Sequence, residues 1–202
     1  MPSEWHFENQ SVRIAKSEVG DFGNNVYVVS CRSTGESVLV DAAADPQRIL
    51  ALAETTSPRA IVTTHGHADH VGAATEVSRL LGIPIWLHQA DWDLCPVDAD
   101  SALEPGGLRI GEATVQLVHT PGHTPGSIGI ITPGAAITGD TLFPGGPGAT
   151  RFPYSDFDQI MDSLDREYFS LPDDTVVMPG HGLDTTIGKE RSAVPEWRER
   201  RW

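Results

Sequence analysis

The sequence is short of cysteine, of long apolar runs and of basic residues, and each shortage removes a class of protein. Its 2 cysteines, Cys31 and Cys95, lie far apart and outside any CxxC pair, so neither a disulfide framework nor a thiolate zinc site is expected and both read as packing residues. No apolar run approaches the roughly 18 residues of a membrane span. The start, MPSEWHFENQ, has neither a basic nor an apolar leader segment, so no membrane association is expected and a cytoplasmic location is the default. Lys and Arg number 14 against 28 Asp and Glu, and the resulting net charge of −14 repels a nucleic-acid backbone. Small-molecule partners are expected instead, and oligomeric state is left open.

What is present describes one folded unit. With 202 residues, 39% hydrophobic and 21% charged, the chain reads as a globular domain over 1–202, without repeats or a dividing linker. Segments 12–16, 25–31 and 37–41 are β-branched runs split by turn signals, and 60–64, 83–88, 114–120, 127–132, 135–138 and 175–178 are further strand-like runs. Three helices are expected: 45–54 with Asp45 as N-cap and Pro46 at the first turn, 70–81 ended by Gly82, and 156–169. Strands with interspersed helices in two β-rich halves predict an α+β fold, a sandwich of sheets with outer helices.

Histidine is scarce as well, with 8 in the chain, yet THGHADH puts His65, His67 and His70 with Asp69 within six positions. The stretch follows a strand and leads into a helix, where a fixed backbone and the small Gly66 and Ala68 let side chains converge. Imidazoles and a carboxylate gathered this way are ligands for borderline metals. PGHTPGS, TGD and PGHG add His123, Asp140 and His181, each beside a strand end. Seven such ligands are too many for one tetrahedral ion, and they divide into two sites sharing a carboxylate, since one aspartate can bridge ions roughly 3.5 to 4 Å apart.

THGHADH, PGHTPGS, GDTLF and PGHG, in this order and with these intervals, resemble the metallo-β-lactamase-fold hydrolases, and most closely the glyoxalase II group. The resemblance covers nearly the whole chain. It implies a four-layer αβ/βα sandwich in a single domain with a dinuclear site at one edge. By motif, His65, His67 and His123 hold the first metal, Asp69, His70 and His181 the second, and Asp140 bridges. Asp41, ending SVLVD, matches a carboxylate that supports the metal loop from behind. Two divalent cations are implied, zinc first, with iron and manganese also compatible. The expected chemistry is attack by a metal-bridging hydroxide, so Asp69 and Asp140 act catalytically through the metals. A thiolate departs without a proton and the motifs hold no general acid, which favours acyl thioesters or activated esters over amides.

Departures from the group shape the substrate expectation. Only segment 182–202 follows His181, so a compact form without the helical glutathione-binding domain is expected. GDTLFPGGPGATRF lacks the Gly-Cys-Gly element and basic residue, with Pro147 and Ala149 in their region, and Leu183 stands where a tyrosine is common. Another thiol carrier is therefore expected, with Arg151, Phe152 and Tyr154 as candidates to line a replacement loop. A mononuclear-iron persulfide dioxygenase and a noncatalytic ligand-binding member of the fold are the alternatives, while β-lactamase activity is not expected. His119 reads as a core or supporting histidine, His6 and His88 match no motif, and PEWRERRW reads as packing.

Overall fold

The computed structural model describes residues 5–201, so the initial MPSE and Trp202 of the basic aromatic tail lie outside the described residues. β1 (Phe7–Glu8), β2 (Val12–Val19), β3 (Asn24–Cys31), β4 (Glu36–Val40), β5 (Ser57–Val62), β6 (Ile85–Leu87) and β7 (Ser101–Ala102) form a seven-stranded sheet in chain order. Pairing is antiparallel through β4 and parallel from there on. The change follows from the connections, because parallel neighbours need a crossover: α1 (Pro46–Ala53) links β4 to β5, and α2 (Ala68–Val71) with α3 (Ala74–Leu81) links β5 to β6.

A second, six-stranded sheet begins with an antiparallel meander of β8 (Gly106–Ile110), β9 (Ala113–His119), β10 (Ile128–Thr132) and β11 (Ala135–Gly139). β12 (Leu142–Phe143) and β13 (Gly146–Pro147) pair separately, and α4 (Phe157–Ser163) continues into one π-helical turn over Leu164–Tyr168. The chain then returns as β14 (Val176–Pro179), parallel to β11, and ends with β15 (Thr185–Thr186), α5 (Ile187–Arg191) and α6 (Val194–Arg200).

Three apolar layers define four structural ones. Val29, Val40 and Val62 of the first sheet meet Val115, Ile130 and Ile137 of the second in the central layer. Ile49 and Val77 cover the first sheet's outer face, and Ile160, Leu164 and Trp197 cover that of the second. β3 is buried at every residue because both its faces are covered. The expected αβ/βα sandwich is thus observed. Cys31 packs in the central layer and Trp197 in the outer one, as their packing readings require.

Local expectations fared unevenly. The helix expected over 70–81 starts earlier and is broken, because Ala42 inserts its backbone: Ala42 N donates to His70 O and Ala73 N donates to Ala42 O. Gly72 permits the approach, since a Cβ there would stand 2.6 Å from the Ala43 carbonyl oxygen. Asp45 holds the N-cap position before Pro46, as expected, but its side chain makes no capping bond. It adopts a left-handed φ of 52°, and its carboxylate accepts from Gly20 N. The helix expected over 156–169 has the cap at Asp156, which accepts from Gln159 N, but turns π-helical beyond Ser163. β8, the short edge strands and the two C-terminal helices had no counterpart in the sequence reading.

Candidate metal centre

The two sheets place strand ends side by side along one edge of the sandwich. Asp41 follows β4, His65 and His67 follow β5, Asp140 follows β11, His181 follows β14, and His123 lies in the β9–β10 loop. The sheets are joined here: Asn24 bridges to His181, Asn25 N donates to Gly180 O at 2.7 Å, and the Tyr27 hydroxyl donates to Pro179 O at 2.6 Å. β3 thereby fixes the PGHG turn that carries the last ligand candidate.

The seven residues converge. Donor atoms of His65, His67 and His123 lie within 4.8 Å of one another, as do those of Asp69, His70 and His181 and those of His65, His70 and Asp140. His65 Nε2 and His123 Nε2 stand 3.0 and 3.1 Å from His67 Nδ1, and His70 Nε2 stands 3.2 Å from His181 Nε2. Asp140 faces both groups, with Oδ2 3.7 Å from His123 Nε2 and 3.6 Å from His181 Nε2, and Oδ1 3.5 Å from His70 Nε2.

The remaining ring nitrogens decide what these short distances mean. His70 Nδ1 donates to Asp41 Oδ2, His123 Nδ1 to Ala149 O and His181 Nδ1 to Phe22 O. Thr64 Oγ1 gives its proton to Asp41 Oδ2 and so receives His65 Nδ1–H, and His67 Nε2 meets the Tyr154 hydroxyl at 2.8 Å. In the neutral imidazoles, whose outer nitrogens carry the proton, the inner ones present lone pairs to each other, which is repulsive until a proton or a metal cation stands among them. Asp140 Oδ1 is likewise buried without a hydrogen-bond partner. The donor set therefore fits two cations, one among three imidazoles and one among two imidazoles and Asp69, with Asp140 reaching both.

The electrostatics divide the same way. Burial pushes His65 well below its ordinary pKa, and it also lowers His67 and His123. His70 is opposed by burial, but Asp140 and Asp41 outweigh it and hold the group well above its ordinary value. His181 is raised too, with Asp69 and Asp140 overcoming burial. The hydrogen bond from His181 holds Asp69 well below the usual carboxylate range. Burial opposes ionisation of Asp140, but His70, His123 and His181 keep it low.

Asp41 stands behind the centre. It has a left-handed φ of 60°, uncommon for a non-glycine residue, and its carboxylate accepts from Thr64 N at 2.7 Å as well as from Thr64 Oγ1 and His70. Of the loop candidates, Phe152 lies 5.2 Å from the His67 ring and stacks on Tyr154, while the Arg151 guanidinium stands 5.6 Å from the Phe152 ring. His119 is outside the cluster, stacked on His88 and donating from Nε2 to Pro125 O, so it supports the His123 loop. His6 pairs with Asp184. Sequence reasoning missed Asn24, which donates to Asp69 Oδ2 at 3.0 Å, together with Asn25, Tyr27 and Asp91. A hydrophobic strand and a linker carry them, and no motif marks them.

The sequence model of the Metallo-beta-lactamase superfamily matches residues 19–181, and the chain belongs to that superfamily. It is 33% identical to hydroxyacylglutathione hydrolase GloC of Haemophilus influenzae, over 79% of this chain and 86% of that protein. The crystal structure of BLEG-1 B3 metallo-beta-lactamase matches with a TM-score of 0.83 and 29% identity, covering 91% of this chain and 98% of that one. TTHA1623 in a di-iron-bound form matches with a TM-score of 0.78 and 33% identity, over 88% and 96% of the two chains.

Proposed function

We propose that this superfamily hydrolase is a dinuclear-metal enzyme that cleaves thioesters or activated esters in the manner of the glyoxalase II group. The observation that carries the proposal is the convergence of seven donors in two triads around Asp140, with every outer imidazole nitrogen already engaged. The proposed ligands are His65, His67 and His123 for one cation and Asp69, His70 and His181 for the other, with Asp140 shared and Asp41 orienting His70. Zinc is the first choice, and the di-iron form of TTHA1623 keeps iron in the test. Two such cations supply water of lowered pKa and polarise the carbonyl under attack.

The chain's own residues supply position and recognition. A cleft of about 750 Å³ borders Asp69 and is lined by Phe22, Asn24, Ala43 and Ala68. Phe22 is 76% exposed and its carbonyl accepts from His181 Nδ1, and Leu183, two residues beyond His181, is 82% exposed. The exposed Phe22 side chain on the cleft wall suits an acyl substrate with an apolar part. Across the centre, burial raises the Tyr154 phenol above its ordinary pKa and keeps it protonated. When His67 binds through Nδ1, its Nε2–H occupies the phenol oxygen and leaves the phenolic hydrogen free to donate to substrate.

The name of the Haemophilus relative suggests a glutathione thioester, whereas Ala149 and Leu183 in this chain favour another carrier. The test is kcat/KM across a panel holding S-lactoylglutathione, thioesters of other thiols, activated esters and a β-lactam, beside anaerobic thiol release and oxygen uptake with a persulfide, on zinc- and iron-loaded samples. Oxygen-independent release of one thiol and one acid, with S-lactoylglutathione among the poorer thioesters, is the expected result. Persulfide-dependent oxygen uptake without thioester cleavage replaces the reading with the iron dioxygenase.

A further inference from the structure

Asp91 closes the short turn after β6, in a stretch without any motif, and its exposure is 0%. A carboxylate removed from water needs donors, and three reach it. Oδ2 accepts from Gly66 N at 2.8 Å and from Thr124 Oγ1 at 2.7 Å, while Oδ1 accepts from Gly126 N at 2.6 Å. Each of these donors is neutral. Gly66 lies between His65 and His67, and Thr124 and Gly126 follow His123, so one carboxylate ties together the two loops that carry all three imidazoles of the first triad. None of its three bonds goes to α2, which carries Asp69 and His70, or to the turn that carries His181.

The two glycines show how closely the loops are drawn in. A Cβ at Gly66 would stand 2.9 Å from the Asp91 carbonyl oxygen, and a Cβ at Gly126 would stand 2.7 Å from its carboxylate. Glycine in both loop motifs therefore has a steric reason, which is contact with Asp91. Asp41 works differently, because it bonds to a ligand imidazole, His70, and to Thr64.

We propose that Asp91 is a positioning residue specific to the first triad: it fixes the separation of the His65–His67 loop from the His123 loop and so sets the metal affinity of the three-imidazole site. The inference rests on the two-metal reading above. Asp91→Asn keeps the shape but replaces one acceptor oxygen with an NH₂ group that opposes the loop donors. Removing an outer partner of a metal site weakens binding by about 10- to 100-fold.

The experiment measures metal content and chelator-competed affinity, with circular dichroism as the folding check, for wild type, Asp91→Asn, Thr124→Val and Thr124→Ser. Wild type should hold two ions, and Asp91→Asn should hold one at wild-type affinity and one weakened by about 10- to 100-fold. Adding His181→Ala, which leaves only the first triad intact, identifies the weakened ion: the double variant should retain none at concentrations where His181→Ala alone retains one. Thr124→Val should weaken the same ion less, and Thr124→Ser should restore it, which decides the matter if Asp91→Asn does not fold. Two ions bound at wild-type affinity by folded Asp91→Asn, or equal weakening of both, overturns the proposal and leaves the two-metal reading intact. A wild type without metal overturns both.

Discussion

The two halves of the centre differ in composition, burial and charge. The first triad is all imidazole, with His65 and His123 buried and His67 half-buried, and burial favours the neutral forms that a metal needs. The second mixes two imidazoles with a carboxylate, is open at His181 (25%) and Asp69 (32%), and keeps its histidines inclined to hold protons. The second half borders the cleft through Asp69, whereas two of the three imidazoles of the first are shut away from solvent. On the two-metal reading proposed above the two sites are unequal, and affinity and exchange rate should differ between them.

The largest expected effect comes from the residue the halves share. Asp140→Ala should lower metal content and cut thioester turnover by at least about 10³-fold while circular dichroism shows a folded chain. Unchanged turnover removes Asp140 from the shared position. Asp41→Asn should be next. Asparagine tolerates the left-handed backbone at this position, so the change isolates the loss of charge behind His70 and should weaken the second ion about 10- to 100-fold with less effect on the first. Equal weakening of both ions would mean that Thr64 transmits Asp41 to His65 as strongly as the direct bond does to His70.

Acidification sharpens the same contrast. A proton competes with a metal once pH falls to the metal-free pKa of the ligand, and that value is raised for His70 and His181 but lowered for His65, His67 and His123. As pH falls, the second ion should therefore leave first, and elemental analysis after dialysis at stepped pH should show a plateau near one ion. Simultaneous loss would show that the halves act as one. Tyr154→Phe should have the smallest effect: it removes one hydroxyl beside His67 and should lower kcat/KM by about 2- to 10-fold with both ions retained.

The sandwich was readable because its determinants are local. β-branched runs separated by glycine and proline punctuate the strands, and the donor motifs sit where those runs stop. The broken helix was not readable, since what interrupts it is the Ala42 backbone, some thirty residues upstream and contributed by a different element. Asp91 was hidden for a similar reason. Its donors come from Gly66, Thr124 and Gly126, and no spacing along the chain encodes a contact between segments so far apart. Asp45 does stand at the N-cap its neighbours suggest, yet the turn between β2 and β3 claims its carboxylate, so its side chain makes no capping bond.

Gly148 and Gly180 flank Asp140 so closely that an added Cβ would stand 1.7 Å from its carbonyl oxygen in one case and 2.1 Å from Oδ1 in the other. A library of variants should therefore divide sharply by position. At 148 and 180 nearly every substitution is expected to be lost, whatever the substrate offered, whereas Ala149, Arg151 and Leu183 have side chains that can vary without entering that space. New specificities should accumulate at those three positions, and a selection that enriched replacements at 180 would have found a different way of arranging the carboxylate.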